Sequence, residues 1–274
     1  MVVPRVLASS NPGLKLANAF GVFMSFSRRY RARFCAICMT NSNNNAAPIS
    51  LSKLIGSFFY LLLFPVILFS LAGDWGWTEG WVYSVVFLLM SFGTLLYLYF
   101  HDPELLKERF GSPIQQTQKP WDKVLLSLFF VEFLVWFAIM PLDAHRYAWS
   151  PPFPLPLRAT GALLQIVATY LVFEAMRENT FAAPVVKMQK ERGQKVISTG
   201  LYGVVRHPMY AGATLLFISA PLLLGSIAGL ALGLVLILTI GARSVGEEAM
   251  LKEELEGYCD YMRKVKWRII PYVF

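Results

Sequence analysis

The run MYAGATLLFISAPLLLGSIAGLALGLVLILTIGA, residues 209–242, contains no charged side chain. At about 1.5 Å per residue, one helix of this length would measure about 51 Å, whereas the hydrocarbon core of a bilayer is about 30 Å thick. Pro221 and the pair Gly225-Ser226 lie near the middle of the run, and these residue types favour a break or a turn. The sequence therefore predicts a tight hairpin of two membrane helices, 209–224 and 227–242.

The rest of the chain is typical of an integral membrane protein. Hydrophobic residues make up 56% of it and charged residues 15%, whereas soluble domains carry about 25% charged residues. Further apolar runs of membrane-crossing length occupy residues 54–72, 80–100, 124–142 and 157–176. We therefore predict an all-α fold, a polytopic bundle of about six membrane segments whose last two form the hairpin.

The basic residues predict the orientation of this bundle. If both termini are cytosolic, Arg146 and Arg158 are the two basic residues of the 25 that fall outside, as the positive-inside rule requires. A single tilted span over 209–242 would move Arg243 and the basic C-terminus to the outside and break the pattern. The net charge of +8 is therefore explained by topology, and no nucleic-acid partner is predicted.

Residues 1–50 differ in composition from residues 51–274, because they contain several Arg and Ser residues but no Asp or Glu. Such a leader is typical of an organellar transit peptide; the alternatives are a basic cytosolic tail or a start at Met39. We accordingly divide the chain into this leader and a membrane domain, residues 51–274. The expected location is the endoplasmic reticulum or an organellar membrane in a eukaryote, and the inner membrane in a bacterium.

Polar residues cluster on both sides of the predicted hairpin. If the hairpin forms, its two ends bring together Gln189, Gln194, Tyr202, Arg206, His207, Tyr210, Arg243, Glu247, Glu248, Tyr258 and Tyr261. Polar groups at a membrane boundary are costly without partners, so this cluster is a candidate functional site. The structural alternative is an anchor at headgroup depth, where such residues are common.

Two classes of site are disfavoured by the same stretch. His207 has no second His nearby, so no metal site is predicted. No Gly-x-Gly-x-x-Gly follows a strand, which excludes a Rossmann-type methyltransferase or dehydrogenase.

The polar cluster also carries a recognisable pattern. Gly200-x-Tyr202-x3-Arg206-His207-Pro208-x-Tyr210-x-Gly212 is followed by Glu247-Glu248 and by Gly257-Tyr258-x2-Tyr261. Over about residues 174–274, this pattern resembles the isoprenylcysteine carboxyl methyltransferase family, which is akin to the membrane phospholipid methyltransferases. The resemblance implies an enzyme that uses S-adenosylmethionine, with the cofactor site within 177–274.

The resemblance also implies roles for individual residues. The expected cofactor-binding residues are Gln189, Gln194, Lys195, Val196, Ile197, Tyr202, His207, Pro208, Met209, Tyr210 and Glu247. Arg243 matches the arginine that holds the acceptor carboxylate, and Arg206 and Glu248 are expected to assist catalysis. Gln194 departs from the family pattern, since it stands where eukaryotic members have a His.

The expected reaction is carboxyl O-methylation of an isoprenylcysteine-like or other lipophilic carboxylate, on a small molecule or a lipidated protein in the bilayer. A carboxylate nucleophile is ionised at pH 7 and needs no base. One alternative is N-methylation of a phospholipid such as phosphatidylethanolamine, for which Glu248 or Tyr210 would remove a proton from the amine. A second alternative is a non-catalytic membrane protein of the same fold.

Overall fold

The computed structural model describes residues 50–112 and 114–274, and the regular elements within these ranges are helical, with one isolated β-bridge. The α-helices are α1 Leu51–Ala72, α2 Thr78–His101, α3 Pro103–Arg109, α4 Pro120–Pro141, α5 Leu155–Glu178, α6 Pro208–Leu224, α7 Ile227–Glu254 and α8 Tyr258–Lys264. A π-helical turn, Leu142–Arg146, continues α4, and 3-10 turns lie at Lys190–Arg192 and Gly200–Gly203.

The predicted all-helical membrane architecture is confirmed. In the described part of the chain, five helices (α1, α2, α4, α5 and α7) are long and apolar enough to cross a bilayer, and α6 is a shorter apolar helix of 17 residues. The second arm of the hairpin continues to Glu254 instead of stopping at residue 242. Good helix formers such as Glu, Ala, Met and Leu follow Arg243, so the helix continues beyond its apolar part.

The predicted hairpin forms at the expected turn. Gly225 adopts φ 86°, a conformation that glycine accepts readily, and its N–H donates to the carbonyl of Pro221 at 2.9 Å. Ser226 then caps α7 by accepting a hydrogen bond from the N–H of Gly229 at 2.8 Å. As α6 and α7 run back alongside each other, the residues at their polar ends come within contact distance.

Small residues let α6 lie very close to both of its neighbours. A Cβ on Gly161 of α5 would stand 2.4 Å from the backbone N of Leu223 in α6. On the other side, a Cβ on Gly233 of α7 would stand 2.4 Å from the carbonyl oxygen of Phe217. Such close backbone contact at glycine is typical of helix packing in membranes. It fixes α6, whose first turn contributes to the polar cluster, between α5 and α7.

The hairpin turn is held by a buried carboxylate at the opposite end of the bundle from the polar cluster. Asp143, 2% exposed, accepts hydrogen bonds from the hydroxyls of Ser150 and Ser226 at 2.7 and 2.6 Å, and from the N–H of Ala228 at 3.1 Å. A carboxylate beside the first N–H groups of a helix also meets the positive end of the helix dipole. Asp143 therefore fastens the start of α7 to the end of α4.

We expect Asp143→Ala to destabilise the protein by at least about 1–3 kcal/mol, because it leaves two buried hydroxyls and one N–H without an acceptor. Thermal unfolding of the purified protein in detergent measures this. Asp260→Ala is the matched control, since Asp260 forms an exposed ion pair with Arg263 and such pairs contribute about 1 kcal/mol or less. Equal losses for both variants would contradict the role given to Asp143.

The predicted leader, residues 1–50, lies outside the described residues apart from Ser50. Arg146 and Arg158, which the charge pattern predicts on the non-cytosolic side of the membrane, lie near the Asp143 end of the bundle. Arg158 forms an ion pair with Glu79, and Arg146 donates to the last carbonyls of α1. The cytosolic placement of the opposite end stays a prediction from the basic residues.

Candidate active site

A cavity opens between the segment 179–197, the first turn of α6, the polar end of α7 and α8. Counted together with the solvent at its open mouth, the space between these walls is about 840 Å³. The residues named from the sequence that line it are Gln189, Gln194, Lys195, Val196, Ile197, Tyr202, Arg206, His207, Met209, Tyr210, Arg243, Glu247, Tyr258 and Tyr261. The structure therefore brings most of the predicted site together around this cavity.

Two of the predicted residues lie away from the cavity surface. Pro208 begins α6, where its missing N–H costs no helical hydrogen bond, and Glu248 lies behind the wall. The cavity also has apolar walls that sequence reasoning did not assign, including Phe181, Val185 and Leu255. In a chain this hydrophobic, the sequence does not distinguish apolar residues that line a cavity from apolar residues of the core.

Glu248 is the centre of the first polar network. It is 1% exposed and accepts hydrogen bonds from Arg206 at 2.6 and 3.2 Å and from Arg268 at 2.9 Å. The Nε2 atom of His207 lies 3.2 Å from the same carboxylate. With both oxygens engaged by cationic or ring donors, Glu248 is placed to hold these side chains together. It is poorly placed to accept a proton from an amine in the cavity, the role considered for it from the sequence.

The C-terminal segment is bound to the same network through its backbone. The Nη1 atom of Arg206 donates to the carbonyl of Lys266 at 2.7 Å. The main-chain N–H groups of Arg206 and His207 donate to the carbonyls of Trp267 and Arg268 at 2.9 and 2.8 Å. The residues just before α6, whose N–H groups would otherwise be unpaired, are thus held by the chain's last residues.

Arg243 is the centre of a second network that reaches the cavity surface. Its Nε and Nη2 atoms donate to the two oxygens of Asp122 at 2.7 and 3.3 Å, and Nη2 also donates to the carbonyl of Pro184 at 2.8 Å. Nη1 donates to the hydroxyl of Tyr210 at 2.9 Å, and this hydroxyl donates to Glu247 at 2.8 Å. A continuous chain of hydrogen bonds therefore connects α4 to the cavity.

The resemblance implies that Arg243 holds the acceptor carboxylate, whereas in this structure its guanidinium is engaged by groups of the protein. Its Nε, Nη1 and Nη2 atoms are all engaged, and its bidentate partner is Asp122. The physical reason is charge compensation: a buried guanidinium is stable when a carboxylate of the protein pairs with it. Sequence reasoning missed Asp122 because it precedes Arg243 by 121 positions.

Glu247 gives the cavity its negative charge. Among the lining residues that the structure describes, it is the one carboxylate, and its side chain is 26% exposed. His207 lies beside it, with Nδ1 at 3.7 Å, and stacks on Tyr210. Within residues 50–112 and 114–274, no three His, Cys, Asp or Glu side chains are grouped to hold a metal ion.

Buried tyrosines surround the cavity. Burial raises the pKa of Tyr202, Tyr258 and Tyr261 well above the usual tyrosine value, so all three are neutral at physiological pH. Tyr261 donates its hydroxyl to the carbonyl of Tyr202 at 2.7 Å. The Tyr258 hydroxyl is buried and has no hydrogen-bond partner among the described residues. A buried hydroxyl is normally paired, so this one is suited to a polar atom of a ligand.

The amide side chains of Gln189 and Gln194 form hydrogen bonds mainly with other residues of the segment 179–197. Gln189 donates to the carbonyl of Phe181 at 2.9 Å and accepts from Arg192 at 2.5 Å. Its main-chain N–H donates to the side-chain oxygen of Gln194 at 2.8 Å, and Arg192 also lies 3.3 Å from Glu104 of α3. Gln189 and Gln194 therefore shape the cavity wall.

We expect Arg243→Ala to destabilise the fold by about 3–5 kcal/mol, because it leaves the Asp122 carboxylate buried without its cation. The double variant Asp122→Ala/Arg243→Ala removes both charges, so it should lose less stability than Arg243→Ala alone, and Asp122→Ala completes the set of single variants. Thermal unfolding in detergent of the single and double variants gives the coupling as a double-mutant cycle. Arg263→Ala, in an exposed pair, is the control; strictly additive losses would show that the two groups are not coupled.

Comparison with known proteins supports the pattern seen in the sequence. Residues 157–256 match the sequence model of the phospholipid methyltransferase family. The fold is similar to that of the eukaryotic intramembrane Ras methyltransferase ICMT (isoprenylcysteine carboxyl methyltransferase), with a TM-score of 0.50, 18% identity, and coverage of 93% of this chain and 86% of that one. A Delta(14)-sterol reductase of Mus musculus is 27% identical over 146 residues, 48% of this chain. The match spans about a third of that relative's length (35%).

Proposed function

We propose that this chain is a membrane methyltransferase that transfers a methyl group from S-adenosylmethionine to a lipophilic acceptor. The match of residues 157–256 to the phospholipid methyltransferase family and the similarity in fold to an intramembrane methyltransferase support this proposal. The observation that carries this proposal is the cavity. It gathers residues from two separate polar clusters of the sequence around one carboxylate and one unpaired buried hydroxyl.

The donor set of the cavity fits this cofactor. Glu247 suits the ribose hydroxyls or the ammonium group, and the Tyr258 hydroxyl is available to pair with another polar atom. Lys195 suits the carboxylate, and apolar residues such as Val196 and Leu255 suit the flat face of an adenine. When bound, S-adenosylmethionine supplies an activated methyl group on a sulfonium.

The protein's own residues then have mainly to position the reactants. Holding two reactants in the right geometry is itself a large part of catalysis. Glu248 and Arg206 fix the first turn of α6, while Arg243 holds Tyr210 and through it Glu247. In this proposal Glu248 and Arg243 are positioning residues, because their polar atoms are engaged within the protein.

The finer proposal is carboxyl O-methylation of an isoprenylcysteine-like or other lipophilic carboxylate. It requires no proton acceptor, which agrees with the full engagement of Glu248. N-methylation of a phospholipid is the second candidate, favoured by the family match over residues 157–256. An amine acceptor must lose a proton, and Glu247, which is exposed to the cavity and hydrogen-bonded to Tyr210, would be the residue to receive it.

The two candidates are separated by incubating the purified protein with methyl-labelled S-adenosylmethionine and, in parallel, S-farnesylcysteine or phosphatidylethanolamine. Label released by mild base indicates a methyl ester, and base-stable label indicates a methylated amine. A folded protein that binds no S-adenosylmethionine by calorimetry would instead support a non-catalytic membrane protein of the same fold.

We expect Glu247→Gln to weaken S-adenosylmethionine binding about tenfold or more, since a hydrogen bond to a charged group contributes about 1.5–3 kcal/mol. Isothermal titration calorimetry measures the change in Kd. Glu253→Gln is the control, because Glu253 lies on the same helix but is exposed and outside the cavity. An unchanged Kd in a folded Glu247→Gln protein would remove Glu247 from the cofactor site.

A further inference from the structure

We propose that residues 264–274 form a membrane-surface element that binds anionic phospholipid headgroups, a role separate from methyl transfer. Several apolar and aromatic side chains of this segment lie on the protein surface. Tyr272 is 86% exposed and Val273 74%, and Ile270 and Phe274 are also exposed. A group of exposed apolar side chains, as opposed to a single one, is typical of a contact with a membrane or a partner.

The segment lies at the depth of the lipid headgroups. The carbonyls of Trp267 and Arg268 accept hydrogen bonds at 2.9 and 2.8 Å from the N–H groups of the two residues before the apolar helix α6, and Arg268 also donates to Glu248 at 2.9 Å. At about 1.5 Å per residue, Glu248 is about 20 Å along α7 from the middle of its apolar part, residues 227–242. A bilayer with its headgroups extends about 20–22 Å from its centre. The segment beside Glu248 is therefore at the membrane surface.

The exposed side chains belong to a closed turn. Three consecutive N–H groups, those of residues 268–270, donate to the main-chain oxygen of Phe274 at 2.8–3.0 Å, and the N–H of Phe274 donates to the carbonyl of Ile270 at 3.0 Å. The Arg268 guanidinium lies over the Phe274 ring, 4.7 Å from its centroid. Tyr272 adopts φ 66°, which is uncommon for a residue other than glycine. Hydrogen bonds thus fix the backbone of the turn while the Tyr272 side chain stays exposed, which suits a turn that contacts lipid.

Basic side chains accompany this turn. Lys264 and Lys266 are exposed, and no ion pair within residues 50–112 and 114–274 includes either of them. Trp267 contacts the ring of Tyr272, with centroids 5.2 Å apart. Tryptophan and tyrosine are enriched at headgroup level, and apolar side chains with lysine beside them bind surfaces that contain anionic lipids. The two lysines therefore indicate anionic headgroups as the ligand.

A second copy of the chain is the competing occupant of this surface. In a two-fold contact the same patch meets itself, so Lys264 and Lys266 would lie close to the same lysines of the other copy. Like charges in contact are unfavourable. An anionic bilayer surface offers opposite charges to the lysines and an apolar layer to Tyr272 and Val273. Charge complementarity therefore favours the lipid surface.

The test places a fluorophore on the turn and a quencher among the lipid headgroups. Val273→Cys, in the full chain with Cys35, Cys38 and Cys259 replaced by Ser, is labelled with nitrobenzoxadiazole. The protein is reconstituted into phosphatidylcholine nanodiscs in which phosphatidylserine makes up either none or about a third of the lipid. Both kinds of nanodisc contain a lipid with a nitroxide on its headgroup. We expect the nitroxide to quench the label, and to quench it more strongly when phosphatidylserine is present.

Controls separate lipid binding from mere closeness to the membrane. A label on Glu253→Cys, an exposed position about 28 Å from the middle of the apolar part of α7, should be quenched little in both nanodiscs. The variant Lys264→Gln/Lys266→Gln should lose the increase caused by phosphatidylserine, because two lysines at about 1 kcal/mol each change the docking equilibrium about 30-fold. Lys252→Gln removes an exposed lysine from α7 and should keep the increase. Thermal unfolding shows whether each variant is folded.

Three results would overturn this inference. The first is a label at position 273 that is quenched no more than the label at position 253. The second is quenching at position 273 that does not depend on phosphatidylserine, or that keeps this dependence without the two lysines. The third is a label that is shielded from lipid when two copies share a nanodisc, which would make a second copy the partner. None of these measurements uses S-adenosylmethionine, so their failure is distinct from a failure of the proposed function.

Discussion

The polar half of this protein depends on one buried carboxylate, that of Glu248. Its two oxygens hold Arg206 from the start of α6 and Arg268 from the C-terminal segment, and His207 completes the group. Two arginines in so small a buried volume would repel each other without it, and the carboxylate would be equally unfavourable without them. The hairpin must therefore return to this point, and the C-terminal segment must reach it, before either charge is compensated. Compensation of these charges therefore requires both the closed hairpin and the bound C-terminal segment.

Because buried charges need partners, the two arginines at the polar ends of the hairpin are paired with carboxylates of the protein. Glu248 satisfies the arginine that would otherwise point at the cavity from α6, and Asp122 satisfies the one from α7. Glu247 is a carboxylate on the cavity surface, and Lys195 is a cation among the lining residues. The cavity surface therefore carries charges of both signs, which suits a ligand that has both a cationic and an anionic group.

The two ends of the bundle are stabilised by different kinds of interaction. At the far end, Gly161 and Gly233 bring backbones into contact, and Asp143 satisfies the hydroxyls and N–H groups of the turn. There the structure depends on close packing and on the hydrogen bonds that Asp143 accepts from the turn. At the cavity end, ion pairs fix the side chains.

The sequence by itself determined the membrane architecture, the hairpin and most of the cavity lining. The hairpin is a consequence of length, since residues 209–242 are too long for one crossing and contain turn-forming residues at the middle. Part of the cavity lining could be named because its polar residues stand in local patterns at the two ends of that run, and further lining residues were implied by the resemblance of these patterns to a methyltransferase family. Only the tertiary structure decided which charges are paired and which are free. Asp122 reaches Arg243 across 121 positions, and Glu248 reaches Arg206 across 42 positions. Ion pairing between distant positions leaves no periodic trace along the chain, because it depends on side-chain geometry after the helices have packed.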